Sequence, residues 1–262
     1  IGIRLNPNIN PNTLKKITTG RNEDKFGLTD INFLKTIKKI KNSKNLNLRC
    51  LSVHIGSQIT DHNPYAKMLK VVSSIIKKSK HNFDFIDLGG GMGIKYTKDT
   101  KTFNYKKYNL ILRNFLKKNK TRIIFEPGRS IVGNTAMLLT KILYIKKTKN
   151  INFVILDAAM NDFMRPALYN AQHEIVPAKK NKKIIIKKHE FVGPVCETTD
   201  KFLSLSKFQN LSENDILAIC DVGAYGMVLS SNYNLRTKPA ELLVNKSNSK
   251  IITKRQKLNN II

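Results

Sequence analysis

A chain of 262 residues has enough material for one large domain or two moderate ones, and its 41% hydrophobic and 8% aromatic residues are ordinary for a globular protein. No apolar run reaches the roughly 18–20 residues of a membrane span, and the opening IGIRLNPNINPN lacks the basic-then-apolar layout of a secretory signal. The formal net charge of +29 invites a nucleic-acid reading, but 38 of the 47 basic residues are Lys, scattered over separate segments and accompanied by Asn and Ile, which share AT-rich codons with Lys. The expectation is therefore no nucleic-acid partner and no membrane, with only non-specific attraction to polyanions at low salt.

In chain order, IGIRLNP reads as a strand. TDINFLKTIKKIKNS follows as a helix with a Thr/Asp cap and Ile31, Leu34, Ile37 and Ile40 at helical spacing. LRCLSVHIGSQ reads as a strand, NPYAKMLKVVSSIIKKSK as a helix, and FDFIDLGGG as a strand running into glycines. TFNYKKYNLILRNFLKKNK is a helix and RIIFEPGR a fourth strand. This alternation predicts parallel strands joined by helices. After about residue 135 the texture changes. MLLTKILYIKKTK, NFVILDAA, KIIIKKHEFVG, DILAICDVGAYG and PAELLVN are β-rich runs without long helical intervals, which predicts a second, mostly antiparallel domain, and ITKRQKLNNII suits a short terminal helix.

Three of the early strands end in chemically loaded sequence: His54 to Ser57, Gly89-Gly90-Gly91, and Glu126-Pro127-Gly128-Arg129. Ligand-binding groups gather at the C-terminal edge of parallel strands, so their coincidence points to a site there. The bare amides of LGGGMG suit a phosphate, although Ile94 stands where a dinucleotide fingerprint needs its last Gly, and a glycine triplet also serves as a plain tight turn. Glu126 and Arg129 flank a Pro-Gly turn, as either a surface ion pair or a site for a basic ring nitrogen and an anion. His54 is either an edge residue or a flat ring able to stack on a planar ligand. Arg165 and Tyr169 offer a guanidinium fork and a hydroxyl. GPVCETTD sets the Cys196 thiol beside Glu197, and GAYG holds Tyr225 between glycines. Cys50, Cys196 and Cys220 form neither a disulfide framework nor a zinc pattern, so no metal is expected and a reducing cytoplasm fits.

Taken together and in this order, RLNPNINPNTLKKITTGRNEDKFGL, LSVHIGSQI, IDLGGGMGI, FEPGRSIVGNTA, LDAAMNDFMRPALYNAQHEI, FVGPVCETTD and DVGAYGMVLSSNYNLRTKPAELLV closely resemble the diaminopimelate decarboxylases. These belong to a pyridoxal-phosphate (PLP) group that includes ornithine and arginine decarboxylases. The MRPALY segment and the Glu after Cys196 favour the diaminopimelate branch. The resemblance implies an α/β plus β fold: the C-terminal half of a PLP-binding (β/α)8 barrel, strands five to eight over residues 1–134, then a mostly antiparallel β domain over 135–262. It implies that His54 stacks on the cofactor ring, that Ser57, Gly89, Gly90, Gly91, Gly128 and Arg129 lie about its phosphate, and that Glu126 faces its ring nitrogen. Arg165, Tyr169 and Glu197 would read the distal end of the substrate, with Arg129 also reaching it. Cys196 would protonate the α-carbon, and Tyr225 would touch phosphate and substrate. A homodimer with active sites at the interface is implied as well.

One departure qualifies this expectation. The family's cofactor-bonding lysine lies in a motif like A-V-K-A-N on an early strand, and these 262 residues contain none. Residue 1 corresponds to a position around the fifth barrel strand, so the resemblance places strands one to four and that lysine outside this sequence. The chain by itself is then expected to be inactive and prone to aggregate. A non-catalytic partner or regulator of an intact decarboxylase, and an ornithine- or arginine-type decarboxylase, are the alternative readings.

Overall fold

The computed structural model describes residues 1–261, which divide into two compact units, Ile1–Ile131 and Val132–Ile262. The first unit runs β1 (Gly2–Arg4), α1 (Asp30–Lys41), β2 (Cys50–Ser52), α2 (Asn63–Ser79), β3 (Phe85–Asp87), α3 (Tyr105–Lys118) and β4 (Arg122–Ile124), closing on the first residues of α4 (Arg129–Val132). Its four strands form one parallel sheet in the order β1-β2-β3-β4.

Register explains how that sheet has two different faces. Ile3, Leu51, Ile86 and Ile123 lie in one row across the strands and pack into the core with the helices. Successive strand residues alternate sides, so the next row, Arg4, Ser52, Asp87 and Ile124, faces the other way. One face is thus purely aliphatic and the other carries charge. Phe33, Ile37 and Ile40 of α1 and Tyr65, Met68, Leu69, Val72 and Ile75 of α2 are the helical half of this core.

The expected cap of α1 is present, with the Thr29 hydroxyl accepting from the Asn32 N–H. Its buried stripe is displaced from the expected one. Ile31 is 63% exposed, and the stripe begins at Phe33 instead. Ile31 lies about 180° round the helix from Ile40, whereas Phe33, Ile37 and Ile40 fall in one narrow arc.

The second unit runs β5 (Leu138–Lys147), β6 (Ile151–Leu156), α5 (Arg165–Tyr169), β7 (Ile175–Pro177), β8 (Ile184–Ile185), β9 (Lys188–Val192), β10 (Lys201–Leu205), β11 (Phe208–Gln209), β12 (Ile216–Ile219), β13 (Glu241–Asn245) and β14 (Asn248–Thr253). Six of these strands make one sheet, β10-β9-β6-β5-β12-β7, whose core includes Ile142, Val154, Leu156, Phe163, Phe191 and Leu217. All its pairings are antiparallel except β6 with β9, which run parallel. The expected terminal helix is a single 3₁₀ turn, Leu258–Asn260, because the preceding Ile251, Ile252 and Thr253 belong to the β13–β14 hairpin.

In the same sheet the Glu190 carboxylate sits between the ammonium groups of Lys188 at 2.6 Å and Lys201 at 2.9 Å, which hold its carboxyl below the usual range. A depressed carboxyl contributes stability above its unfolded value, about 4.3, and loses it as pH falls through the lower folded value. Glu190→Gln should therefore cost about 1 kcal/mol at neutral pH, since both lysines are solvent-accessible. The gap to wild type should narrow below about pH 5. Urea unfolding at a series of pH values measures it, and a gap that ignores pH would refute the ion-pair account.

Among the described residues no helix is long and apolar enough to cross a membrane, and no group of three or more His, Cys, Asp or Glu is placed to hold a metal.

Candidate active site

The first unit gathers the sequence-predicted groups at the C-terminal ends of its strands. Arg129, at the start of α4, is 6% exposed. Its guanidinium donates from Nε and Nη2 to the Ser57 hydroxyl at 3.3 and 3.1 Å and from Nη1 to the Tyr96 hydroxyl. Two hydroxyls fix the plane of this buried cation, and a guanidinium fork held in one plane suits an oxyanion ligand.

Beside it the glycine run fits where no side chain can. A Cβ on Gly90 would overlap the Glu126 carbonyl oxygen, and one on Gly91, at φ +91°, would overlap the Gly56 carbonyl oxygen. Asp87, 9% exposed, fixes the entry to this turn. One carboxylate oxygen accepts from the Gly89 N–H at 2.9 Å and the other from the Ser52 hydroxyl at 3.0 Å. The Tyr65 hydroxyl donates to the Gly90 carbonyl at 2.8 Å.

His54 is held edge-on to the same turn. The Gly90 N–H donates to its Nδ1 at 3.2 Å, so the imidazole carries its proton on Nε2. Burial, with Arg4 adding to it, pushes the His54 pKa below its ordinary value and keeps the ring neutral. Arg4 donates to the His54 carbonyl at 3.2 Å, and its own pKa is lowered by burial against the opposing pull of Glu126 and Asp87. Glu126 is exposed, with its backbone N–H tied to the Gly89 carbonyl at 2.9 Å. Among the described residues nothing lies within 4 Å of a Cβ added at Gly128. His54, Ser57, Gly89, Gly90, Gly91, Glu126 and Arg129 thus share one strand-end cluster.

In the second unit Arg165 and Tyr169 occupy the first and last positions of α5, so an i, i+4 relation puts them on one face. Pro166 fits the first turn, where its missing N–H has no partner to lose. Arg165 is 5% exposed and donates from Nη1 to His173 Nε2 at 2.7 Å. Cys196 and Glu197 ride on an exposed loop whose shape is set by buried Asp200. The Asp200 carboxylate accepts from the Val195 N–H at 2.9 Å and from the Met160 N–H at 2.7 Å, tying the thiol loop to the segment after β6. The Glu197 carboxylate accepts from the Thr199 hydroxyl at 2.5 Å and the Tyr233 hydroxyl at 2.8 Å, and both bonds lower its pKa, Thr199 more than Tyr233. Tyr225 stands 45% exposed at φ +60°, inside the turn its flanking glycines form.

Five contributors were missed in the sequence: Asp87, Tyr96, His173, Asp200 and Tyr233. Asp87 had a signal, an acid at the last strand position before the glycines. The others each meet a group at least eight residues away, with no local pattern to mark them.

Residues 1–133 match the family model described as pyridoxal-dependent decarboxylase, pyridoxal binding domain. The chain belongs to the pyridoxal-dependent decarboxylases. Among its relatives is the diaminopimelate decarboxylase of Aquifex aeolicus, 39% identical over all of this chain and 63% of that protein. The enzyme of that name from Zymomonas mobilis is 37% identical at the same coverage. The crystal structure of the Helicobacter pylori diaminopimelate decarboxylase complexed with L-lysine superposes with a TM-score of 0.93 at 38% identity, covering all of this chain and 65% of that one. The fold is accordingly a partial PLP-decarboxylase barrel followed by a β domain, and the chain spans less than two thirds of the length of the relatives it matches.

Proposed function

We propose that this chain is the larger part of an enzyme that removes one carboxylate of meso-2,6-diaminopimelate to give L-lysine, with PLP as cofactor. The observation that carries the proposal is the buried Arg129 guanidinium, oriented by Ser57 and Tyr96 beside a glycine turn with no room for side chains. That arrangement fits a phosphate monoester, since it sets a fixed guanidinium and a hydroxyl beside a turn with no side chains to block close approach.

Ser57, Gly89, Gly90, Gly91, Gly128 and Arg129 would hold the cofactor phosphate, with Tyr225 as a further hydroxyl donor. When bound, PLP supplies an electron-withdrawing pyridinium that takes up the charge left by departing CO2. Glu126 would keep the proton on the ring nitrogen. His54, neutral and held by Gly90, would lie flat against the ring without adding a charge. The guanidinium of Arg165 would take the distal carboxylate of the substrate, and Glu197 its distal ammonium, with Tyr169 adding a hydroxyl. Cys196 would return a proton to the α-carbon. Arg129 would also reach the substrate, and a second copy of the enzyme would complete the site in a homodimer.

The sequence holds no A-V-K-A-N-like motif to supply the cofactor-bonding lysine. Incubated with PLP and meso-diaminopimelate, the purified 262-residue chain should therefore release no L-lysine. Co-produced with the remainder of the Aquifex aeolicus relative, it should. Lysine formation by the chain unaided would sink the first expectation. Turnover of ornithine or arginine in preference to diaminopimelate by the reconstituted pair would sink the substrate assignment.

A further inference from the structure

His173 is 1% exposed and makes hydrogen bonds from both ring nitrogens. Nδ1 lies 2.8 Å from the Cys220 carbonyl oxygen, and Nε2 lies 2.7 Å from Arg165 Nη1. These partners have fixed polarity. A carbonyl only accepts, so Nδ1 carries the proton, and a guanidinium only donates, so Nε2 presents its lone pair. The ring is therefore neutral and in one tautomer. Phe163 meets it edge-on at 4.6 Å between centroids and removes its rotational freedom. The Cys220 carbonyl follows directly on β12, whose Leu217–Ile219 are paired on both sides, by β5 and by β7. A rigid strand end thus fixes the imidazole, and the imidazole fixes the guanidinium.

We propose that His173 is a positioning residue: a neutral imidazole, locked between the Cys220 carbonyl and Phe163, that orients the Arg165 guanidinium from behind as a lone-pair acceptor. An Asp or Glu in its place would also hold Arg165, but would neutralise the charge that a substrate carboxylate needs. A neutral acceptor directs the guanidinium without adding a charge of its own. The inference deepens the reading of Arg165 as the carboxylate-binding group and rests on it.

The test compares two substitutions that each preserve one half of the ring. In His173→Gln the amide oxygen reaches the place of Nε2 and keeps the bond to Arg165. In His173→Asn the amide nitrogen keeps the bond to Cys220, but the shorter side chain stops short of Arg165 Nη1. Phenylglyoxal modification of the 262-residue chain, followed peptide by peptide, should proceed about tenfold faster at Arg165 in the Asn variant than in wild type, as expected for a lost bond to a charged group. The Gln variant should stay near the wild-type rate, and Arg236 should be unchanged in both. Arg165 reacting equally slowly in wild type and the Asn variant would overturn the proposal. So would parallel acceleration of Arg165 and Arg236 in both variants, which would mark a merely structural loss.

Nitrogen-15 imidazole spectra of the wild-type chain give a readout that needs no variant. His173 should show the Nδ1–H tautomer at neutral pH, and an Nε2–H or doubly protonated ring would contradict the assignment. None of these measurements includes substrate. Failure of diaminopimelate to protect Arg165 in the reconstituted enzyme would instead count against the carboxylate-binding reading.

Discussion

Gly90→Ala is expected to destabilise the first unit by about 3 kcal/mol, the upper end of what overpacking costs, while Gly128→Ala changes stability by less than about 0.5 kcal/mol. The contrast isolates close approach from any general effect of replacing glycine. At Gly90 the added methyl meets the Glu126 carbonyl oxygen, which is backbone and cannot rotate away. Nor can the neighbouring chain move cheaply, because the Glu126 N–H is bonded to the Gly89 carbonyl at 2.9 Å and the Leu88 N–H to the Ile124 carbonyl at 3.0 Å. Relief requires parting the ends of β3 and β4, which would also disturb the bond from Gly90 N–H to His54. At Gly128 a methyl meets none of the described residues within 4 Å. Urea unfolding of the two variants measures the difference. Equal midpoints would mean that the glycine run is a tolerant turn rather than a fitted one.

Much of the first unit is written locally. Each strand is a short apolar run, each helix has an amphipathic stripe, and the glycines and EPGR mark strand ends, so the parallel order and the cluster at its C-terminal edge follow from pattern alone. The misplaced start of the α1 stripe shows the limit. Counting every third residue admits Ile31, but that row drifts about 60° per step round a helix, and only the i, i+4, i+7 set of Phe33, Ile37 and Ile40 keeps one face. The second unit is less legible because its pairings are non-local. Nothing in NFVILDAA or KIIIKKHEFVG announces that β6 and β9 run parallel within an otherwise antiparallel sheet.

The candidate groups divide in the same way. Those that act through backbone shape, such as Gly90 and Gly91, carry a readable motif. Those that support another side chain do not. Tyr96 meets Arg129 across 33 positions and Asp200 reaches Met160 across 40, so their neighbours in sequence say nothing of their work. His173 is only eight residues from Arg165, yet its meaning depends on the polarity of Cys220, 47 positions on.

The second large effect concerns ligand selection. Arg129→Met is expected to weaken binding of PLP to the 262-residue chain by roughly 100-fold, the size of a lost charge-assisted pair, while leaving binding of pyridoxal, which lacks the phosphate, almost unchanged. Methionine fills most of the volume of the arginine stem, so the stem packing is largely kept while the charge is lost. Arg129→Lys should recover little. A lysine ammonium is a point charge on a flexible stem and cannot keep the planar fork that Ser57 and Tyr96 hold in register. Equilibrium titration with PLP and pyridoxal side by side separates the two effects. Removing the cation alone should abolish the preference for the phosphorylated ligand, because the neighbouring Ser57 hydroxyl and glycine turn carry no full charge. A variant that keeps that preference would place phosphate recognition elsewhere, and a wild-type chain showing no preference would remove the basis for reading this cluster as a phosphate site.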